Sequence, residues 1–359
     1  MTPDPTVSIC VPLYNGSAFL TETLRSVAAQ TFQDYEVVIV DDNSTDDSVA
    51  LVKQFMAADP RVKLFQPSQR AGSSGRSANR CIGHARGEWI KLIHQDDVMA
   101  PECVSELLDA TRHGHRFALS WHDYHFEREV DAQTRASYND LATLRTVLPG
   151  AYAAPETFCE AVLAHWGMNF LGPPSSSFIH RECFVRYGIF SSEMRTISDL
   201  EYWIRVGSNE GVAIAQAYLV TYRVHSKSIS AGFRNDRKAA DYRNALERVL
   251  IDLAVAFAPE YAAMRAHMLA STVAIDARQM LTAHAWLARS HAFDAKYRND
   301  DFSLLEQWLD FARKHPQIVA LLCAGDRFEP GEQGPLRTLR SLLSLRRDHR
   351  TISRAKEAK

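Results

Sequence analysis

Short apolar runs alternate with amphipathic helical patterns through the first hundred residues of the chain. Helical spacing of apolar residues occurs near 21–30, 49–56 and 78–85, and a short apolar run lies before each of these segments and after the last. The apolar runs are Val7–Leu13, Glu36–Val40, Val62–Phe65 and Trp89–Ile93. Runs this short and bulky are typical of strands that are buried on both faces. The alternation predicts a doubly wound α/β sheet with right-handed crossovers.

Two of these predicted strands end in adjacent carboxylates. Asp41 and Asp42 follow the second strand, and Asp96 and Asp97 follow the fourth. The carboxyl ends of parallel strands meet at one edge, where open α/β sheets bind ligands. Two adjacent carboxylates repel each other unless a cation or a polyhydroxyl ligand offsets the charge. A plain turn would also carry Asp here, so either pair alone leaves both interpretations open.

A segment rich in Gly, Ser and Arg, Ser68–Gly87, separates the two acidic pairs. Gly72 and Gly75 allow the backbone to approach a ligand closely, and Arg76 offers a cation. Such a turn can bind phosphate at the start of a helix, although a flexible polar loop has the same composition. Together with the acidic pairs, the segment predicts a nucleotide-diphosphate pocket. Mg²⁺ or Mn²⁺ would bridge carboxylates to phosphates in such a pocket.

The chain changes character beyond residue 234, where Ala, Leu and Arg dominate. Helical periodicity predicts long amphipathic helices at Asp241–Ala256, Ala262–His291 and Ser303–Lys314. Residues 326–335 have the composition of a linker. The tail Leu336–Lys359 carries eight Lys and Arg residues, and its leucines lie mostly on one helical face. Such a helix can lie on an anionic membrane surface, although a solvated helix has the same pattern.

Composition narrows the class of protein. The 359 residues are 46% hydrophobic and 23% charged, enough for a large core in one large or two smaller domains. A net charge of -2 does not favour nucleic-acid binding. Six scattered cysteines at no CxxC spacing indicate neither a zinc nor a redox site. The sequence shows no secretory signal and no apolar run long enough to span a membrane, so neither is expected.

Several blocks in residues 5–230 resemble the inverting glycosyltransferases of family 2. The matching blocks are VSICVPLYNG at 7–16, SVAAQTFQDYEVVIVDDNSTDDS at 26–48, ARGEWIKLIHQDD at 85–97, GPPSSSFIHRECFVRYGIF at 172–190 and SDLEYWIRV at 198–206. The resemblance implies an α/β, GT-A (nucleotide-diphosphosugar transferase-like) fold, a mostly parallel sheet flanked by helices, with the catalytic domain at 1–232. The change of composition and the helical periodicity beyond it predict a C-terminal helical appendix at 233–325, followed by the linker and the basic amphipathic tail at 326–359.

The same resemblance implies a role for individual residues. It assigns donor binding to Pro12, Tyr14, Asp42, Arg76, Asp96 and His225, and metal ligation to Asp97. Tyr14 would lie against the nucleobase, although a buried turn aromatic is the alternative. Arg223, His225 and Ser230 would form a lid over the diphosphate. The family usually has Asp where Gln95 stands, so the number of carboxylates near the metal is reduced.

Asp199 is the general base that the resemblance implies. Inverting transfer needs a base that takes the proton of the acceptor hydroxyl as its oxygen attacks the anomeric carbon. Asp199 heads a predicted amphipathic helix, so a helix cap is the alternative role, and Glu201 is the local competitor for the base. The stretch Trp121–His125 is interpreted as a solvated strand end rather than a His-rich metal site.

The function implied is transfer of a sugar from a nucleotide-diphosphate donor to an acceptor hydroxyl with inversion, assisted by Mn²⁺ or Mg²⁺. A UDP-sugar is the expected donor and a glycan or lipid-linked molecule the acceptor, in cell-envelope or exopolysaccharide synthesis. The expected location is the cytoplasm, at the inner face of the cell membrane through the tail, with the helices available for a homodimer. A non-catalytic nucleotide-sugar binding protein of the same fold is the alternative, and Gln95 is the residue that favours it.

Overall fold

The computed structural model describes residues 3–139, 141, 143–228, 237–271, 276–299 and 302–325. The chain divides into two compact units. The sheet unit comprises residues 1–158 and 169–228, and the helical unit comprises residues 159–168 and 229–359. The expected lid residue Ser230 and the expected basic tail lie outside the described residues.

The described residues of the sheet unit form nine strands. In chain order they are β1 Val7–Leu13, β2 Tyr35–Asp41, β3 Val62–Phe65, β4 Trp89–Leu92, β5 Val98–Met99, β6 Phe117–Phe126, β7 Tyr152–Ala153, β8 Ser177–His180 and β9 Val212–Val224. Their spatial order is β3-β2-β1-β4-β8-β6-β9-β5, with β7 paired to β9. The pairs among β1 to β4 are parallel, whereas β8 runs antiparallel to both β4 and β6. The sheet is therefore mixed, and the expected parallel arrangement is found at its β1–β4 end.

Helices cover this sheet and make up the described part of the helical unit. In the sheet unit they are α1 Leu20–Ala28, α2 Ser48–Ala58, α3 Ser74–His84, α4 Cys103–Ala110, α5 Ala132–Asn139, α6 Leu144–Val147, α7 Pro155–Ala164, α8 Arg181–Tyr187 and α9 Ser198–Glu210, of which α7 continues into the helical unit. The helical unit adds α10 Arg237–Phe257, α11 Ala262–Ala270, α12 Ala277–Asn299, α13 Ser303–Lys314 and α14 Pro316–Gly325. None of the helices in the described ranges has the length and apolar content needed to cross a bilayer.

One predicted helix is wrong in extent. The structure divides the predicted helix Ala262–His291 between α11 and α12. The first helix ends at Ala270, because Ser271 adopts an extended backbone with ψ 156°. Apolar periodicity continues on both sides of this break, which is why the sequence pattern does not reveal it.

The core of the sheet unit fixes the strand ends that carry the polar residues. Every residue of β1 and β2 is buried. Leu20, Leu24 and Val27 of α1 belong to the same apolar cluster as β1, β2 and β4. Each such side chain stabilises the fold by roughly 1.5–3 kcal/mol on burial. The loops that follow β1, β2 and β4 therefore start from rigid positions.

The fourth predicted strand is shorter than the apolar pattern implies. β4 ends at Leu92, and residues 93–97 form a loop that leads into β5. Asp96 and Asp97 therefore lie at the end of this loop, which we call the acidic loop, and not directly after a strand. Asp41, in contrast, is the last residue of β2, and Asp42 follows it.

Candidate functional site

The loops after β1 and β2 are bonded to each other through side chains. Asp41 accepts from the N–H of Ser44 with both carboxylate oxygens, at 3.2 Å each, and so shapes the turn after β2. Asn15 has a positive φ of 49° and its Oδ1 accepts from the N–H of Thr45 at 2.8 Å. Three N–H groups of the first loop donate to the second: Asn15 to Ser44 Oγ (2.9 Å), Gly16 to Ser48 Oγ (2.9 Å) and Ser17 to Asp46 Oδ2 (3.0 Å).

Asp42 holds the Gly/Arg segment in place. Its buried carboxylate accepts from the N–H of Ala71 and from the N–H of Gly72 at 3.1 Å. Arg80 donates to the same carboxylate at 3.1 Å, and the Nε of Arg70 lies 3.8 Å from it. A ligand that contacts Asp42 would therefore share this carboxylate with the loop.

Tyr14 presents an aromatic ring at the same edge of the sheet. The side chain is 38% exposed, and the guanidinium of Arg70 lies 3.8 Å from the ring centroid. Pro12, the neighbouring predicted donor contact, is buried within β1 in register with Val40. Tyr14 and Arg70 thus form a planar, partly exposed surface beside the buried Asp42.

Arg76 and Asn79 connect α3 to the segment before α9. Arg76 donates to the carbonyl oxygen of Ser192 through Nε (2.9 Å) and Nη2 (2.6 Å). Asn79 exchanges two hydrogen bonds with the backbone of Phe190, at 2.9 and 3.0 Å. The cations nearest Tyr14 and Asp42 are Arg70 and Arg80, which the sequence analysis does not single out. The signal for them is the density of arginine in the segment 70–86, with Arg80 one helical turn beyond Arg76.

The acidic loop is anchored through Asp97. This residue is fully buried, its Oδ1 accepts from the N–H of Arg223 at 3.0 Å, and its Oδ2 accepts from the hydroxyl of Ser175. Burial, with the nearby charge of Asp96, raises the pKa of Asp97 well above its usual range. The buried Lys91 donates to the carbonyl oxygen of Ser175. Two hydrogen-bond donors therefore hold this carboxylate, and Lys91 bonds the residue that supplies one of them.

Asp96 is paired with the predicted lid residue His225. The Nδ1 of His225 accepts from the N–H of Lys227 at 3.2 Å, so Nε2 carries the proton that it donates to Asp96 Oδ2 at 2.9 Å. Arg223 also contacts this loop, since its Nε donates to the carbonyl oxygen of Asp96 at 3.0 Å. Its terminal nitrogens bind Glu22 and Glu127. The end of β9 and the residue that follows it are therefore bonded to the acidic loop.

Three side chains at this loop could hold a metal ion. One ligand atom each from His94, Asp96 and Asp97 lie within 4.8 Å of one another. Burial lowers the pKa of His94, which favours the neutral imidazole that ligates metals. Carboxylate oxygens with an imidazole are a donor set that divalent cations accept. The residues present therefore fit a divalent metal, and His94 is a candidate ligand that the sequence analysis does not name.

Asp199 lies half-buried in the first turn of α9. The starts of α3 and α9 are in close contact, because a Cβ at Gly75 would lie 2.6 Å from Ser198 Oγ. The competitor Glu201 is buried and forms an ion pair with Arg205 at 2.9 Å. Arg205 also donates to the backbone between α8 and α9, at Ile189. Glu201 therefore has a structural role.

The stretch Trp121–His125 is more ordered than a solvated strand end. It is part of β6 and pairs with β9 as far as Phe126. His122 and Tyr124 point to one side, where His122 Nε2 lies 3.1 Å from the Tyr124 hydroxyl. Burial lowers the pKa of His122 to about 4. The solvated part of this stretch is limited to Asp123 and His125, which are exposed.

The sequence of this chain is similar to a known family and to several individual proteins. Residues 8–161 match the model of the family described as Glycosyl transferase family 2. An uncharacterised protein of Mycobacterium tuberculosis is 26% identical over 250 residues, which is 68% of this chain and 73% of that protein. The glycosyltransferase GlyG of Streptococcus pneumoniae is 33% identical over 28% of this chain and 33% of its own length. A Campylobacter jejuni enzyme, GalNAc(5)-diNAcBac-PP-undecaprenol beta-1,3-glucosyltransferase, is 30% identical over 31% of this chain and 36% of its own length. The match thus spans about a third of the two named relatives.

Solved structures share the fold at low sequence identity. Staphylococcus aureus TarS residues 1–349, in complex with UDP, has a TM-score of 0.57 and 17% identity, with 96% of this chain and 91% of that chain covered. The mannosyltransferase PcManGT from Pyrobaculum calidifontis, in complex with GDP-Man and Mn²⁺, has a TM-score of 0.51 and 17% identity, with 88% of each chain covered. At these identities the similarity shows a common α/β architecture.

Proposed function

We propose that this chain, a member of glycosyl transferase family 2, transfers a sugar from a nucleotide-diphosphate donor to an acceptor hydroxyl with inversion at the anomeric carbon. The observation that carries the proposal is the acidic loop. It brings His94, Asp96 and Asp97 together at one edge of the sheet. The loop lies within the matched segment, and the backbone of Tyr14 is bonded to the side chain of Gln95 in this loop.

The donor would bind between the Tyr14–Arg70 surface and the acidic loop. A nucleobase is planar, and the exposed ring of Tyr14 with its stacked guanidinium offers a matching flat face. Arg70 and Arg80 supply positive charge beside Asp42 for the ribose and phosphates. His225, bonded to Asp96, would lie over the diphosphate. A UDP-sugar is the first donor to test.

The metal would be held by Asp97 and Asp96, with His94 as a further ligand. A bound Mn²⁺ or Mg²⁺ supplies Lewis-acid stabilisation of the charge on the leaving diphosphate. The chain's own contribution is to hold the carboxylates in place, through Ser175 and the N–H of Arg223. Burial makes an isolated charge on Asp97 costly, and a cation offsets that cost.

Asp199 would act as the base on the acceptor side. Its carboxylate takes the proton of the acceptor hydroxyl while that oxygen forms the bond to the anomeric carbon and the bond to the diphosphate breaks. The contact between Gly75 and Ser198 holds the start of α9, and with it Asp199, beside the Gly/Arg segment that would border the donor. Attack from the face opposite the leaving group inverts the anomeric configuration.

Two isosteric variants test the separate roles of the carboxylates. Asp97→Asn is expected to abolish the thermal shift that Mn²⁺ produces in the presence of a nucleoside diphosphate. Asp199→Asn is expected to keep that shift and to lose sugar transfer. Asp123→Asn, which changes an exposed carboxylate on β6, is the matched control and should retain both. Transfer that persists in Asp199→Asn would remove this residue as the base. Nucleotide binding without transfer to any acceptor by the unaltered chain would support a binding protein instead.

The acceptor that we propose is a glycan or lipid-linked sugar in cell-envelope or exopolysaccharide synthesis. The Campylobacter relative is named for action on an undecaprenol-linked glycan, which motivates the choice of a polyprenyl-linked acceptor. Such an acceptor would be met from the cytoplasm at the inner face of the membrane, where the basic segment 336–359 would provide electrostatic contact. Self-association through the helices is part of the same proposal and is tested by sedimentation.

A further inference from the structure

Gln95 is held at three points in the acidic loop. Its Oε1 accepts from the N–H of Tyr14 at 2.6 Å, and its Nε2 donates to the carbonyl oxygen of Tyr14 at 2.9 Å. Its own carbonyl oxygen accepts from the hydroxyl of Thr23 at 2.8 Å. Both ends of the amide are therefore engaged with the backbone of the residue that carries the exposed ring.

The shape of the β1–α1 loop is matched to this side chain. A Cβ at Gly16 would lie 2.7 Å from Cδ and 2.8 Å from Oε1 of Gln95, which is closer than atoms approach without displacement. A side chain at this position would displace the amide from where it lies. The paired hydrogen bonds and the close approach to Gly16 therefore both belong to the observed position of the Gln95 amide.

A carboxylate could not make the same pair of bonds. Aspartate has no donor for the carbonyl oxygen of Tyr14 and is one methylene shorter, and an ionised oxygen would repel that carbonyl. An amide turned toward Tyr14 has no free side-chain oxygen directed to the metal candidates His94, Asp96 and Asp97. Gln95 thus couples the backbone position of Tyr14 to the acidic loop.

We infer that Gln95 is a positioning residue that sets the affinity for the planar base of the donor through the backbone of Tyr14 and does not ligate the metal. The inference rests on the proposed function, since it assigns Tyr14 to the nucleobase. It explains how a glutamine stands beside two carboxylates in a loop that would bind a cation. The acidic loop then has two separate tasks, metal binding by its carboxylates and base placement by its amide.

Three substitutions at this position separate the two tasks. Gln95→Ala removes both bonds to Tyr14, and we expect the donor KM to rise about tenfold with kcat changed less than about twofold. Gln95→Glu keeps a hydrogen-bond acceptor for the N–H of Tyr14 but loses the hydrogen-bond donor to its carbonyl oxygen. An intermediate KM for the sugar donor is therefore expected. Gln95→Asp adds a carboxylate and should raise the donor KM as alanine does. Gln133→Ala, at an exposed glutamine of α5, is the matched control.

The two hydrogen bonds by which Gln95 holds the backbone of Tyr14 form what we call the clamp. Amide hydrogen exchange of the peptide that contains Tyr14 tests the clamp in the absence of a sugar donor. Faster exchange in Gln95→Ala than in the unaltered chain, with a smaller increase in Gln95→Glu, supports it, and a folded state is checked by the melting temperature. Unchanged exchange overturns the clamp. Faster exchange in Gln95→Ala with an unchanged KM for the sugar donor overturns the role of Gln95 in donor affinity. A Gln95→Asp variant that binds Mn²⁺ more tightly and has a lower donor KM also overturns that role. If the unaltered chain binds no nucleoside diphosphate, the proposed function fails, and the role of Gln95 in donor affinity fails with it. The exchange result still shows whether Gln95 holds the backbone of Tyr14.

Discussion

At the scale of single residues, Asp97 is a buried carboxylate whose two oxygens are both held by hydrogen bonds. Ser175 and the N–H of Arg223 each bond one of its oxygens, and Lys91 reaches the same turn through the carbonyl oxygen of Ser175. The hydroxyl of Ser175 also accepts from the N–H of His94 at 3.0 Å. Ser175 therefore orients two of the three metal candidates at once.

We predict that Ser175→Ala weakens metal binding. Loss of a partner that orients a ligand typically costs about 10–100-fold in metal affinity. The change should appear in a Mn²⁺ titration followed by thermal shift in the presence of nucleoside diphosphate. Ser177→Ala is the matched control, because that hydroxyl bonds only to the carbonyl oxygen of Pro174 among the bonds the structure shows for it. Equal Mn²⁺ affinity in the two variants would contradict the role of Ser175.

A second residue-scale prediction concerns pH and His122. Burial lowers the pKa of His122 to about 4, below the roughly 6.5 expected in the unfolded chain. As pH falls the unfolded chain takes up the proton first, so stability is lost between about pH 6.5 and pH 4. Between pH 7 and pH 5 this loss amounts to about 2 kcal/mol in the free energy of unfolding.

The measurement is urea unfolding of the unaltered chain and of His122→Gln at both pH values. The variant should lose about 2 kcal/mol less stability between pH 7 and pH 5 than the unaltered chain. His125→Gln, which changes an exposed histidine three residues along the same strand, should behave like the unaltered chain. A His122→Gln variant that loses as much stability as the other two proteins would show that His122 does not titrate in this range.

At the scale of elements, the contact between α3 and α9 joins the two halves of the candidate site. Gly75 of α3 lies against Ser198 of α9, and Arg76 and Asn79 bond the segment that precedes α9. The residue in α9 that would serve as base is thereby placed relative to the Gly/Arg segment. Small changes at this contact should affect transfer without touching the proposed ligands.

We predict that Gly75→Ala lowers both the transfer rate and the melting temperature. The added Cβ would lie 2.6 Å from Ser198 Oγ, and overpacking of this kind costs about 1–3 kcal/mol. Adding Ser198→Ala should restore part of both, because the nearest remaining contact is then 3.3 Å to Cβ. Gly83→Ala in the same helix is the control, since a Cβ there meets nothing within 4 Å. A Gly75→Ala variant indistinguishable from Gly83→Ala would show that the helices can separate at no cost.

The sequence predicts strand bounds well where a short buried run is flanked by polar turns. It does not predict features that depend on partners distant in the sequence. The bounds of β1 and β3 agree with the apolar runs, because both strands are short and flanked by polar turns. The acidic loop was predicted as the end of a strand, since Ile93 continues the apolar pattern after β4 has ended. The resemblance predicts Arg76 near the donor phosphates but not its bond to Ser192, which is 116 residues away. No local pattern encodes such a partner.

At the scale of the whole molecule, the helical unit includes a segment from the middle of the chain. Residues 159–168 group with the helices that follow residue 229. Trp166 donates to the fully buried Asp252 at 3.1 Å, and His284 Nδ1 lies 2.5 Å from the other oxygen of that carboxylate. The expected domain boundary after residue 232 would therefore separate Trp166 from its partner.

We predict that a chain of residues 1–232 is less stable and more prone to aggregate than a chain of residues 1–325. Without the later helices, buried apolar side chains of the segment 159–168, such as Val162 and Leu163, would be exposed to water. Thermal unfolding and light scattering of the two chains measure the difference. Asp252→Ala in the longer chain should lower its stability, because Trp166 loses its acceptor. Equal melting temperatures for the two chains would support a domain boundary at residue 232.

The bonds between the loops after β1 and β2 have a consequence for attempts to change the donor. Because three N–H groups of residues 15–17 depend on side chains at 44–48, neither loop can be exchanged alone without leaving donors or acceptors unmatched. A loop exchange with a relative should therefore replace residues 15–17 and 44–48 together. Homologues that differ in only one of the two segments would be poor sources of new specificity.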